Sequence, residues 1–385
     1  MATATAAAGA VFQGIAVPPE AVNPSAFFAN TRRKRDVEVA RTFAGLGATD
    51  SVEIRKSDIL SAIRIRFVGT ITTTGTTVKP TMRWPYDLLR SVRFTANGQS
   101  NLVNVSGLKL KAREFMRQNA TDRGVARKAS GADVTQGTLS KASESWGVNP
   151  DTTAAAGSYD IDIDWLVPVA EDERDLAGAI FAQTSTQDLV LNLDWNDAAT
   201  LFGGTDASNT VAVAGKLIVE TEKFSIPSAN GHLIVPDLSL FHSLIESRLS
   251  GALAIGQNEV RLSGQGAGRQ LLRVFYQVWN GAAPQKPLAA TDDNFGVQSW
   301  RYGSNEAPET FNAGRSMRIE NENTYGTDIG GVWGVLAHEF NVISAFRDTV
   351  DMGKTAELRL LISIASGASL SNAAVEYVQE TMFIA

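Results

Sequence analysis

From about Val52 onward, apolar and polar residues alternate. Ile63, Ile65 and Phe67 interleave with Arg64 and Arg66, and Val92 and Phe94 interleave with Ser91, Arg93 and Thr95. Tyr159, Ile161, Ile163 and Trp165 alternate with Asp160, Asp162 and Asp164; Leu189, Leu191 and Leu193 form another such face, and Leu217 to Phe224 closes the series. A period of two sends successive side chains to opposite faces, the pattern of half-buried strands. Asn97-Gly98 supplies a turn tolerant of positive φ. Two stretches break the period. Gly107 to Gln118 places Leu108, Ala112 and Phe115 at helical spacing, which predicts a surface helix inserted among strands, and a second short helix is predicted from about Asp172 to Gln183. Asn119 to Asp151, rich in Gly, Ser, Thr, Asp and Lys, reads as a long loop.

Ser225 to Pro236 has the composition of a linker, and the pattern then resumes. Leu244 to Ser263, Leu271 to Trp279, Arg315 to Glu320, Leu358 to Ala365 and Ala374 to Phe383 read as strands, whereas Gly264 to Gly268 and Ala282 to Asn312 are the least patterned. Two runs of short strands with few helices predict two β-sandwiches or barrels in tandem. The first forty or so residues differ. They carry Pro18, Pro19 and Pro24, then a segment in which Ser25 is positioned to cap a short amphipathic helix presenting Phe27, Phe28 and Val37. This stretch reads as an arm.

Composition narrows the function classes. The chain has 385 residues, 44% hydrophobic and 20% charged, which places it among globular proteins and gives it room for more than one core. A net charge of -6 supplies no overall basic field for nucleic acid. The absence of cysteine excludes disulfides, thiolate metal sites and a cysteine nucleophile. The start of the chain lacks a basic n-region, and no run of about 18 apolar residues occurs, so neither a signal peptide nor a membrane-spanning helix is expected.

Candidate chemistry is sparse. Asp160, Asp162 and Asp164 share a strand face and offer oxygens to a hard cation, but no Gly-bounded ligand loop accompanies them, and a solvated strand face explains them. Glu171, Asp172, Glu173 and Asp175 crowd one turn, so they cannot flank a glycosidic bond, and they suit the first turn of the predicted helix. His232, His242 and His338 are scattered, and Val342 stands where a zinc helix would place its second histidine. Gly264-Gln265-Gly266-Ala267-Gly268 precedes a strand pattern rather than a helix, so it reads as a turn, not a phosphate cradle. The one concentrated basic patch, Arg32, Arg33, Lys34 and Arg35, lies beside Phe27 and Phe28. It suits anionic headgroups or phosphates, and equally a solvated face or an acidic neighbouring subunit.

The segment WLVPVAEDERDLAGAIFAQTSTQDLVLNLDW, Trp165 to Trp195, resembles the part of tectivirus-type major capsid proteins in which a strand ending in W-V-P precedes D-L-x-G-A and a leucine-alternating strand. GHLIVPDLSLFHSLIE, Gly231 to Glu246, is similar to the start of that family's second domain. The two motifs cover about an eighth of the chain, and the segments Asn119 to Asp151 and Gly281 to Asn312 match nothing in the family. The resemblance implies an all-β chain of two tandem eight-stranded jelly rolls with a few short helices, divided into an arm at 1–45, a first roll at 46–226 and a second at 227–385. It further implies a homotrimer forming pseudo-hexagonal capsomers in an icosahedral virion shell, assembled in the host cytoplasm around an internal membrane and a double-stranded DNA genome. Penton and minor capsid proteins are implied partners, and the internal viral membrane is one expected contact of Phe27, Phe28 and Arg32 to Arg35. No catalytic residue, cofactor, metal site or specific nucleic-acid recognition is expected. The competing class is a β-sandwich carbohydrate-binding or glycan-active protein, whose best residues are Asp160, Asp162, Glu171 and Asp172 with Trp165.

Overall fold

The computed structural model describes residues 10–12, 15–17, 23–96, 99–117, 156–183, 188–229, 232–249, 253–262, 268–282, 285–301, 310–311, 314–326, 328–341, 349–353 and 358–384. The alternating stretches form its principal strands. In the first half these are β1 (Arg33–Thr42), β2 (Thr49–Glu53), β3 (Ile59–Thr73) and β4 (Leu89–Ala96). They continue as β5 (Gln99–Val105), β6 (Gly157–Pro168), β7 (Val190–Trp195) and β8 (Val211–Phe224). One antiparallel sheet has the order β6-β3-β8-β1, and its partner the order β5-β4-β7-β2. The inward positions are those the period-two pattern marks as apolar. Ile63, Ile65 and Phe67 of β3, Ile163 and Trp165 of β6, Phe94 of β4 and Leu191 and Leu193 of β7 meet in one core.

The second half contains β9 (Leu240–Leu249), β10 (Gly256–Arg261), β11 (Arg269–Asn280) and β12 (Phe295–Arg301). After these come β13 (Thr310–Phe311), β14 (Leu336–Glu339), β15 (Arg359–Ile364) and β16 (Ala374–Ile384). Its sheets run β9-β16-β11-β14 and β10-β15-β12-β13. Adding eight to each strand of the first half reproduces this order strand for strand. The helices repeat as well: α2 (Gly107–Arg117) lies between β5 and β6, and α3 (Gly314–Tyr325) with α4 (Ile329–Trp333) occupies the equivalent connection between β13 and β14. A short parallel pairing, Leu244 with Val103 and Ile245 with Asn104, joins β9 to β5 and fuses one sheet of each half.

Several expectations need correcting. Arg315 to Glu320 is helical, because Met317, Asn321 and Tyr325 recur every four residues and are all buried. The helix predicted from Asp172 to Gln183 is a series of turns. Leu176 and Gly178 adopt left-handed backbone at φ 57° and 84°, which no α-helix accommodates, and Ile180–Phe181 pairs with the start of β3. Helix α2 forms as expected but is buried on all sides rather than exposed. Gly107 opens it because a Cβ there would lie 2.1 Å from the Tyr86 carbonyl oxygen. The expected turn at Asn97-Gly98, the loop from Asn119 to Asp151 and Gly264 to Ala267 of the glycine cluster lie outside the described residues.

Candidate interaction site and the ionic seam between the halves

The aromatic and basic residues near the start of the chain are separated by the structure. Helix α1 (Pro24–Asn30) is capped by Asn23, whose side chain accepts from the Ala26 amide at 3.0 Å, and not by Ser25. Pro24 at the first helical position has no N–H to satisfy, which places the cap one residue before it. Phe27 is fully buried against Ile59, Leu176, Phe224 and Leu238, whereas Phe28 remains exposed and meets Phe27 edge to face. Arg33 to Thr42, expected within an arm, instead forms β1, the sheet neighbour of β8. Its cations are engaged there. Arg33 pairs with Glu222 and Glu173, Arg35 with Glu222 at 2.8 Å, and Lys34 with Asp58 at 3.2 Å. Burial alone would raise the Glu222 carboxyl, but the hydrogen bond from Arg33 and the charges of Arg33 and Arg64 bring it down to about 2. The exposed side chains left for an outside partner are therefore Phe28 and Arg32, the latter without a side-chain partner among the described residues.

A larger polar constellation, not anticipated from the sequence, lies between the halves. Helix α2 carries Lys109, Arg113 and Arg117 toward carboxylates from both. Glu380 on β16 is fully buried and accepts from Arg113 Nε at 2.9 Å, from Arg273 and from His242 Nε2 at 2.8 Å. Arg273 on β11 also reaches Glu339 at 2.8 Å and Glu171 at 3.3 Å, and Glu171 meets Arg117 at 2.6 Å. Burial opposes the charge on Glu380, but Arg113 and Arg273 outweigh it and hold the carboxyl well below the usual range. Glu171, read from the sequence as the start of a helix, is in fact an ionic link across the seam.

The opposite end of α2 faces a second group. Arg83 spans Asp87 and Glu376, each at 2.8 Å, with its guanidinium 3.9 Å from the Trp279 ring centroid. Lys109 approaches Glu376 at 3.6 Å and donates to Gln277, while Asp87 accepts from the Leu108 amide at 2.9 Å, satisfying a helix N-terminal N–H. A cleft of about 1130 Å³ opens onto this group. Glu246, half-buried on its wall, accepts from the Ser106 amide at 2.6 Å.

The other sequence candidates do not converge. Ile161, Ile163 and Trp165 point inward, while Asp164 pairs with Arg64 at 2.8 Å on the outer face. His242 is packed in the seam and His338 lies edge to face with Trp300. No group of three ligating side chains suited to a metal occurs among the described residues, and none of their helices is long and apolar enough to cross a membrane.

Comparison with known proteins gives a likeness of fold. The structure superposes on the major capsid protein of Sulfolobus turreted icosahedral virus with a TM-score of 0.65, over 92% of this chain and 97% of that one, at 14% identity. The chain is a double jelly roll. Two further double jelly rolls match over 92% of this chain. The PBCV-1 virus capsid chain has a TM-score of 0.53, 10% identity and 94% of its length covered; the Faustovirus major capsid protein has 0.52, 9% and 90%. No protein-family profile and no curated protein matches.

Proposed function

We propose that this double jelly roll is a viral major capsid protein, a structural subunit and not an enzyme. The observation that carries the reading is the strand-for-strand duplication within one chain, locked by a buried ionic seam and shared over nearly the whole length with the capsid protein of the turreted icosahedral virus. Three copies of two similar rolls present six nearly equivalent lobes, so a homotrimer with closed three-fold contacts makes a pseudo-hexagonal capsomer able to tile an icosahedral shell. Penton and minor capsid proteins complete such a shell, and assembly proceeds in the host cytoplasm. The motifs at Trp165 to Trp195 and Gly231 to Glu246 support the finer reading of a tectivirus-type bacteriophage with an internal membrane around a double-stranded DNA genome. The domain division follows as an arm, a first roll ending near 226 and a second roll from 227, with the arm cut back to the residues before β1.

Light scattering and electron microscopy of the purified chain test the reading: trimers with hexagonal outline are expected, and isolated globular monomers would overturn it. The contact near the start of the chain is assigned to Phe28 and Arg32, facing the membrane or a neighbouring capsomer. Because Arg33 to Arg35 hold β1 in its sheet, removing them would damage the fold itself. The double substitution Phe28→Ser and Arg32→Glu is expected to leave soluble trimers and lower particle yield at least tenfold, and normal yield would refute the assignment.

A further inference from the structure

The two rolls match residue by residue, because each carries the same irregularity. The ladder of β3 with β8 passes over Ser61 and leaves Ala62 opposite Glu222; the ladder of β11 with β16 passes over Leu272 and leaves Arg273 opposite Glu380. Glu222 and Glu380 therefore correspond, and each is met from the same place on the neighbouring strand, by Arg33 on β1 and His242 on β9. Helices α2 and α3 align in the same way. Gly107 and Gly314 open them, and a Cβ on either would press on Leu89 or Phe295, the first residues of the equivalent strands β4 and β12. Lys109 and Arg113 of α2 thus match Ser316 and Glu320 of α3, and the outward row Phe275, Gln277 and Trp279 of β11 matches Arg64, Arg66 and Val68 of β3.

The surroundings of the matched rows differ. Phe275, Gln277 and Trp279 are fully buried, because α2 and the core of the first roll cover the outer face of their sheet. The matching face of the first roll is bare: Val37 is 53% exposed, Val68 44%, and the side chains of Arg33 and Arg35 nearly half. The matching side of α3 is bare too, with Ser316, Ile319 and Glu320 exposed. We propose that these surfaces are the two sides of one contact between copies of the chain, α3 of one copy packing on the sheet β6-β3-β8-β1 of the next as α2 packs on β9-β16-β11-β14 within the chain. The charges are exchanged between the sides. Within the chain the helix brings Arg113 to a carboxylate on the sheet; between chains it brings Glu320 to Arg33 and Arg35, whose guanidinium groups have donors beyond those that Glu222 and Glu173 use. Ile319, Val37 and Val68 supply its apolar area. Such a contact is heterologous, so each copy gives one helix and receives one, and three copies close the ring. The contact rests on the capsid reading and supplies the interface of its trimer.

The chain has no cysteine, so a crosslink between two introduced thiols reads the contact against a blank background. Val68 and Ser316, both exposed, match Trp279 and Lys109, whose ring centroid and ammonium lie 5.8 Å apart in the seam. The full chain carrying Val68→Cys and Ser316→Cys, treated with a short bismaleimide, is expected to give covalent dimers and trimers and nothing larger on a denaturing gel. Either single variant should stay uncrosslinked, and an equal mixture of the two should stop at dimers. Light scattering of the same samples separates this contact from the capsid reading. Trimers in solution that do not crosslink through this pair, or single variants that crosslink as well as the double one, would overturn the docking and leave the capsid reading standing; monomers in solution would overturn both. Glu320→Arg, on the exposed side of α3, sets a cation against Arg33 and Arg35 and is expected to weaken trimer formation by about tenfold or more at low salt, whereas unchanged association would overturn the charge exchange.

Discussion

Replacing Glu380 by Ala tests the seam at its centre. The carboxylate is buried and shared by Arg113, Arg273 and His242. Arg273 retains Glu339 and Glu171 after the change, but Arg113 keeps only its 3.3 Å bond to the Glu171 carbonyl. Removing one partner of a buried ion pair costs about 3–5 kcal/mol, because the remaining charge stays away from water without compensation. That is a large share of the ~5–15 kcal/mol by which a domain is usually stable. Urea unfolding followed by tryptophan fluorescence should show the loss, with Glu380→Gln intermediate. The double variant Arg113→Met, Glu380→Met removes both charges and should recover about 2 kcal/mol or more of the single variant's deficit, since coupled neighbours are not additive. A loss below about 1 kcal/mol for Glu380→Ala, or a double variant no more stable than the single, would refute the claim that the seam acts as a coupled network.

Two further predictions concern the first sheet. A Cβ on Gly69 would lie 2.2 Å from the Ala214 carbonyl oxygen, so Gly69→Ala must push β3 and β8 apart; a loss of about 2 kcal/mol or more is expected in the same unfolding assay, and a neutral result would show that the strands tolerate the separation. Glu222 sits at about 2, below its ordinary 4.5, so its contribution is present above 4.5 and disappears as pH falls toward 2. Glu222→Gln should therefore be less stable than wild type at pH 7 and differ little from it at pH 2, as read by thermal unfolding across that range.

Most of the fold was legible because a strand with one buried face writes its orientation into every second residue. Ile63, Ile65 and Phe67, or Leu189, Leu191 and Leu193, announce their face with no knowledge of their partners. The connections were less legible. Helix α2 looked like a surface element because Lys109, Lys111, Arg113 and Glu114 are polar, yet their partners lie far along the chain: Asp164 for Lys111 and Glu380 for Arg113. One signal was present. In AVEYVQETMFIA, Glu376 and Glu380 share a strand face that is otherwise apolar, with Ala374, Val378 and Met382, which is tenable only where buried cations wait for them. The basic run at Arg32 to Arg35 misled in the opposite direction, since carboxylates on β8, in the turn after β6 and before β3 neutralise most of it. Turn residues such as Leu176 carry no composition cue for left-handed backbone, so the false helix there was beyond a reading of periodicity.

The position of Glu380 also sets a timetable for synthesis. Arg113 emerges early, and the carboxylate that neutralises it follows 267 residues later. Until β16 has been made and inserted between β9 and β11, α2 holds cations that no amount of first-roll packing can satisfy. A chain interrupted anywhere before Glu376 would leave Lys109 and Arg113 without these carboxylates, so the buried seam between the halves could not close. The last described strand to be made is thereby the one that lets the two halves close on each other.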